Sequence, residues 1–287
     1  MDGMTGTVAA LWRYPVKSMQ GEELEIAEVT SRGIAGDRAY AVVDRETGLV
    51  ASAKHPRRWG RLFECRATFV EPPRPGRPLP PVRIELPDGA VVESTRYDVD
   101  GVLSRVLGRE VTLASEAPAR PEREADRTSI DAPPGEEVIR REEMALAAPA
   151  GTFFDYGVLH VLTTATLDRL RALHPAGRFE ARRFRPNLLV ASAGGAGFAE
   201  TGWLARRLRV GKEVRVEGVD PTPRCVVTTL AQGDLPRDPE ILRTLARHTR
   251  AASVTLAPGI VFPAVAGIYA AVLREGTVRR GDGVVVE

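Results

Sequence analysis

Cysteine is nearly absent from this chain. Among 287 residues only Cys65 and Cys225 occur, too few for a disulfide framework and too few for one chain to build a four-cysteine iron–sulfur or zinc site. A structural metal site is thereby excluded. No stretch approaches the roughly 18 consecutive apolar residues of a membrane span, and Met1–Met19 has no charged start followed by an apolar run, as a secretion signal would. The expectation is a cytoplasmic protein with reduced thiols and no membrane contact. An excess of one charge is missing too: 40 Lys+Arg stand against 38 Asp+Glu, a formal net charge of +2. A protein that grips nucleic acid through its phosphates needs more than that, so nucleic acid is not expected as a partner. Any anion site has to be local.

What is present is an ordinary globular composition, 43% hydrophobic and 27% charged, in a chain long enough for two domains or one large β-rich unit. Short strands are expected at 6–11, 24–30, 39–44, 62–70, 82–86 and 91–94, separated by Gly, Pro and Asp turns. The proline-rich run Pro72 to Pro81 cannot sustain a central strand and reads as an exposed connection between two strands. A helix over 99–107, with Gly108 placed to end it, follows. From Pro118 to Glu143 the chain is rich in Pro, Arg, Glu and Asp, which reads as a solvated crossing, so the division falls between 1–118 and 119–287. The second part should carry helices over 164–173 and from Asp238-Pro239-Glu240 towards His248, flanking strands at 187–191, 208–210, 213–217, 225–230, 266–273 and 284–286. The fold class is mainly β with flanking helices (α+β).

Chemistry concentrates in five segments. Lys17 and Ser18 follow Pro15, whose fixed φ bends the chain away from a strand end. Arg38 stands at the entrance to a strand, and Lys54, His55, Arg57 and Arg58 make the densest basic cluster of the first half. Each of these alone also reads as a solvated loop or a surface salt bridge. Arg185 and Asn187 share a side of an extended chain, and guanidinium and amide suit a phosphate and the edge of a heterocycle. Cys225 follows Arg224 and a proline-stiffened turn, a setting for a soft-metal ligand or a nucleophile, although cysteine is also a common buried small residue. Cys65, in an apolar strand, reads as that buried residue. His160 and His174 read as packing and turn residues, and His248 as a helix C-terminal residue favoured by the dipole.

Together, YPVKS at Tyr14–Ser18, the GDR turn at Gly36–Arg38, SAKHP at Ser52–Pro56, RFRPN at Arg183–Asn187 and RCVVTT at Arg224–Thr229 resemble, in order, the landmarks of the MOSC-domain family. That family is named for the C-terminal domain of molybdenum cofactor sulfurase and includes the mitochondrial amidoxime-reducing component and bacterial N-hydroxyl-reducing relatives. The resemblance implies an N-terminal β-barrel domain over 1–118 and a MOSC β-barrel domain over 119–287, with a molybdenum cofactor, molybdopterin carrying Mo, in the cleft between them. It implies Lys17, Ser18, Arg38, Lys54, Arg185, Asn187 and Arg224 as the groups that hold the cofactor, with Thr163 and Thr164 at a helix start, and Cys225 as the metal's ligand and the catalytic residue. The activity implied is reduction of small-molecule N-hydroxylated or N-oxide substrates. Electrons would come from a separate ferredoxin- or flavin-type reductase, because the chain ends at Glu287 without a four-cysteine domain. Protons would come from an acid near the pocket, His55 or Asp155. Two other readings stand beside it: sulfur transfer through a persulfide on Cys225, with no molybdenum in turnover, and a non-catalytic cofactor carrier. The family's Asp-Pro after the twin threonines is replaced here by LAQGDLPRDP, so a remodelled substrate loop is expected.

Overall fold

The computed structural model describes residues 5–129, 132, 133, 136–194 and 197–287. Its centre is a seven-stranded barrel. The strands Leu188–Ser192, Leu159–Thr163, Val265–Arg274, Val214–Pro223, Arg207–Val210, Gly283–Val286 and Gly6–Arg13 pair in that order, and Gly6–Arg13 pairs back on Leu188–Ser192 to close it. Glu22–Leu24 extends the sheet beyond Gly6–Arg13. Inward residues alternate along these strands, so that Val8, Leu11, Val161, Val190, Leu208, Val216 and Ile268 fill one core. Closure brings two backbones close at Gly6. A Cβ there would lie 2.4 Å from the Ala191 carbonyl oxygen, so only glycine fits.

A second core is built from Val16, Met19, Val42, Leu62, Ile84, Leu103 and Val111. It is bounded by the sheets Arg66–Phe69/Val82–Glu85/Val91–Glu93 and Ala41–Asp44/Val111–Ala114. The proline-rich run lies exposed between Arg66–Phe69 and Val82–Glu85, which pair antiparallel, as expected of a connection. The helix Val99–Leu107 ends at Gly108, whose φ of 67° is left-handed. Thr164–Leu173 and Glu240–His248 are helices as expected; Thr163 Oγ1 accepts from Thr166 N at 3.2 Å to cap the first.

Four expectations need correction. Residues 225–230 are not a strand: Val226–Thr229 is a 3-10 turn. Thr228 and Thr229 hydroxyls donate to the Cys225 and Val226 carbonyls at 3.0 and 2.7 Å, the local bonding by which threonine competes with a sheet ladder. Gly60–Glu64 is likewise a 3-10 turn preceding the strand Arg66–Phe69, and 24–30 splits at Glu25 into two strands. The region 118–143 is not only a solvated crossing. It carries a hairpin, Glu122–Asp126 paired with Ile139–Glu143, that buries Arg123. Residues 130, 131, 134 and 135 of that crossing lie outside the described residues.

Candidate functional site

Where the barrel meets the second core, one cavity collects Lys17, Ser18, Arg38, Lys54, Arg185, Asn187, Arg224 and Cys225. Eight residues scattered over more than 200 positions therefore face one space. The bends that bring them there are strained for residues with a Cβ: Ser18, Arg38 and Arg185 have φ of 63°, 47° and 55°. Such strain persists where surroundings hold it. Ser18 Oγ accepts from Ala53 N at 3.1 Å, and Arg38 N donates to the Tyr14 carbonyl at 2.8 Å. The guanidinium groups of Arg38 and Arg185 lie over the Tyr14 ring at 4.6 and 4.1 Å.

Charge on the N-terminal wall is neutralised internally. Asp155 takes Lys17 Nζ at 2.7 Å, Lys54 Nζ at 3.3 Å and Arg123 Nε at 3.3 Å. Burial alone would push the Asp155 carboxyl up, but these three cations outweigh it and hold it well below the usual carboxylate range. Burial lowers the Lys17 ammonium to about 8 in spite of Asp155. Asp37, also buried, accepts from Tyr14 N and Asn187 Nδ2, both at 2.8 Å, and pairs with Arg38.

The opposite wall is different. Arg185 donates to the Met19 carbonyl and Arg224 to the Phe184 carbonyl, each at 2.6 Å, and neither has a carboxylate partner among the described residues. Burial lowers Arg185 to about 10, with Arg38 adding repulsion. Arg224 Nε and Thr222 Oγ1 are buried in this wall without a hydrogen-bond partner. Two orphaned polar atoms beside unpaired cations suit an anionic ligand rich in acceptor atoms. The donor set also fits a molybdenum cofactor: cations for its phosphate, and one soft cysteine for the metal.

The other anticipated residues lie differently. Thr163 is fully buried on the far side of its strand, capping the helix and donating to Glu200 Oε2 at 2.6 Å; neither it nor Thr164 lines the cavity. The two proposed acids also fail. Asp155 has no proton to give, and His55 stands outside the cavity with Nδ1 2.9 Å from Glu124 Oε2. His160, expected to be packing only, lines the cavity with its ring 3.5 Å from Arg224 Nη1; burial and Arg224 push its basicity well below the usual imidazole range, so it is neutral. Room for the ring comes from Gly267, where a Cβ would sit 2.1 Å from His160 Nε2 and φ is +83°. Sequence reading missed three further groups. Arg123 joins the Asp155 network. Arg183, fully buried, donates to the Thr228, Leu230 and Pro236 carbonyls at 2.8–3.3 Å and so holds the turn that begins at Cys225. Tyr269 lines the cavity against Tyr156, and burial pushes its phenol up to about 12, so it stays protonated at neutral pH.

A β-barrel and a second β core thus meet at a cationic, cysteine-bearing cleft, the architecture of a two-core β protein. Two family models match the chain, the MOSC N-terminal β-barrel domain over residues 5–68 and the MOSC domain over 151–285, and the chain belongs to the MOSC-domain family. It is 26% identical over 294 residues to mitochondrial amidoxime reducing component 2 of Rattus norvegicus, covering 97% of this chain and 82% of that protein. It is also 26% identical over 300 residues to mitochondrial amidoxime-reducing component 1 of Mus musculus, with the same coverage. Among solved structures, the YUAD protein from Bacillus subtilis aligns with 99% of this chain and 96% of that one, at a TM-score of 0.44 and 12% identity. No helix among the described residues is long and apolar enough to cross a membrane.

Proposed function

We propose that this protein is a molybdenum-cofactor-binding oxidoreductase that reduces N-hydroxylated or N-oxide substrates with electrons from a separate donor protein. The observation that carries the reading is the convergence of Cys225 with five cationic side chains in one cavity, two of them lacking a carboxylate partner among the described residues. When bound, the cofactor supplies two-electron redox chemistry. Arg185 and Arg224 bind its phosphate, with Lys17, Lys54 and Arg38 setting the surrounding positive field; Asn187, expected to meet the ring system, instead spends its amide on Asp37, the Trp12 carbonyl and His160 N and so positions the wall. Cys225 is the thiolate ligand. Amidoxime reduction breaks the N–O bond, consumes two electrons and two protons and releases water. The hydroxyl of Tyr269 is the neutral acid in the cavity: no protein group bonds it among the described residues, whereas Tyr156 is held by Thr255 Oγ1 at 2.7 Å. The names of the amidoxime-reducing relatives support the substrate class.

The test is molybdenum per chain and fluorescence of the released, oxidised pterin, measured on wild type beside Cys225→Ala from cells that make the cofactor. The expected result is about one molybdenum per chain in wild type, loss of amidoxime reduction in the variant, and an unchanged unfolding midpoint. Wild type free of both metal and pterin sinks the reading and leaves persulfide transfer on Cys225 in its place.

A further inference from the structure

The proline-rich run takes no part in the site described so far, yet it forms one side of a surface groove. The groove runs past Arg32, Arg74, Arg77 and Leu79 and reaches Arg38 and Phe154, which also line the cofactor cavity. Groove and cavity are thus separated by one layer of side chains. The groove is also one-sided in charge. Its single lining carboxylate, Asp37, is buried and committed to Arg38, Tyr14 N and Asn187. Arg32 is held over the groove by the Ala150 and Gly151 carbonyls at 3.3–3.4 Å, and Arg32, Arg74 and Arg77 have no ion-pair partner among the described residues. Leu79 is 37% exposed beside them. Prolines at 72, 73, 75, 78, 80 and 81 fix φ at those positions, so the backbone that carries the arginines has less freedom to lose on binding than an ordinary loop.

We propose that this groove docks the electron donor, and that the donor is a small protein with an acidic face of the ferredoxin type. The inference rests on the reductase reading. Three unpaired guanidinium groups around an exposed leucine match carboxylates surrounding an apolar contact, and docking there brings the donor's redox centre against the Arg38–Phe154 wall. Each reduced ferredoxin gives one electron and leaves oxidised, so two dock per turnover.

The experiment uses holoenzyme, a reduced plant-type [2Fe–2S] ferredoxin as probe, and the double variant Arg74→Glu/Arg77→Glu beside the milder Arg74→Gln/Arg77→Gln. Affinity is measured at low and high salt, and amidoxime reduction is driven either by ferredoxin or by reduced methyl viologen, which needs no docking surface. Expected are ferredoxin binding that weakens with salt and falls at least about tenfold on charge reversal, less with glutamine, while the viologen-driven rate stays within about twofold. Ferredoxin that fails to bind, or whose binding or turnover ignores the charge reversal, overturns the docking proposal. Molybdenum-loaded wild type inactive with viologen instead overturns the reductase reading, and salt- and arginine-dependent ferredoxin binding would survive that result.

Discussion

The two walls of the cavity carry the same kind of charge and settle it in opposite ways. On the N-terminal wall Lys17, Lys54 and Arg123 converge on Asp155, so the cations are matched within the protein. On the barrel wall Arg185 and Arg224 rest on aromatic rings and carbonyl oxygens with no carboxylate among the described residues, and Arg224 Nε and Thr222 Oγ1 are buried there without a partner. A buried charge without a partner costs stability, and a protein keeps such a cost where function needs it. The matched wall is chiefly scaffold, and Lys17 and Lys54 add only a weaker field to the site. Under the proposed function the unmatched wall is the one that binds, and an anionic cofactor supplies the partner its cations lack.

The comparison breaks most visibly at Asp155. In Asp155→Asn the three cations lose their common carboxylate, although Arg123 keeps Glu142 at 3.1 Å. Because Asp155 is only half-buried, the expected loss is about 2–4 kcal/mol of unfolding free energy by urea titration, somewhat below that of a fully buried pair. Adding Lys17→Met should recover part of it. An unchanged midpoint in Asp155→Asn would mean that the wall is not scaffold at all. Arg224→Met is the counterpart on the other wall. Stability should stay within about 1 kcal/mol, since the lost contacts with the Phe184 carbonyl and ring and with His160 are offset by removing a buried cation that has no carboxylate partner among the described residues, while cofactor retention under dilution falls about 10- to 100-fold. Destabilisation without loss of cofactor would reverse the assignment of the two walls.

Much of the binding wall was legible because its residues lie in compact motifs, RFRPN and RCVVTT, in which charge, proline and cysteine occur together. The same motifs concealed their scaffold. Arg183 stands two residues before Arg185 in an equally basic run, and only the fold shows that it bonds the carbonyls of Thr228, in the turn after Cys225, and of Leu230 and Pro236 beyond it. Arg123 lies in a stretch whose composition matches that of a solvated linker, and its burial depends on a hairpin whose strands are mostly charged. His160 and Tyr269 sit opposite each other in neighbouring strands, inside apolar runs where alternation predicts burial but not which buried residue faces a cavity. Gly267, whose φ of +83° leaves room for the His160 ring, was the available signal. Thr163 misled for a related reason: a threonine at a helix start bonds either a ligand or its own helix, and here it bonds the helix and Glu200. Thr228 and Thr229 gave the wrong element because a β-branched run reads as a strand until its hydroxyls bond backward.

pH separates the walls at smaller amplitude. Lys17 has an unfolded value near 10.5 and a folded value of about 8, so between these pH values the unfolded chain binds more protons and stability rises with pH through this group. Anion binding moves the other way, because the ammonium is present below about 8 and lost above it. Cofactor retention should decline as pH passes 8 while the unfolding midpoint does not fall, and Lys17→Met should flatten both trends. The smallest effect is expected at Thr222, whose buried hydroxyl on the binding wall lacks a partner. Thr222→Val keeps the shape and removes the unsatisfied oxygen, so the cofactor-free protein should gain about 1 kcal/mol in stability. If the oxygen is kept to meet a ligand, the same substitution must weaken cofactor retention severalfold; a variant that is more stable and holds cofactor equally well would leave Arg185 and Arg224 as the only part of that wall shaped for an anion.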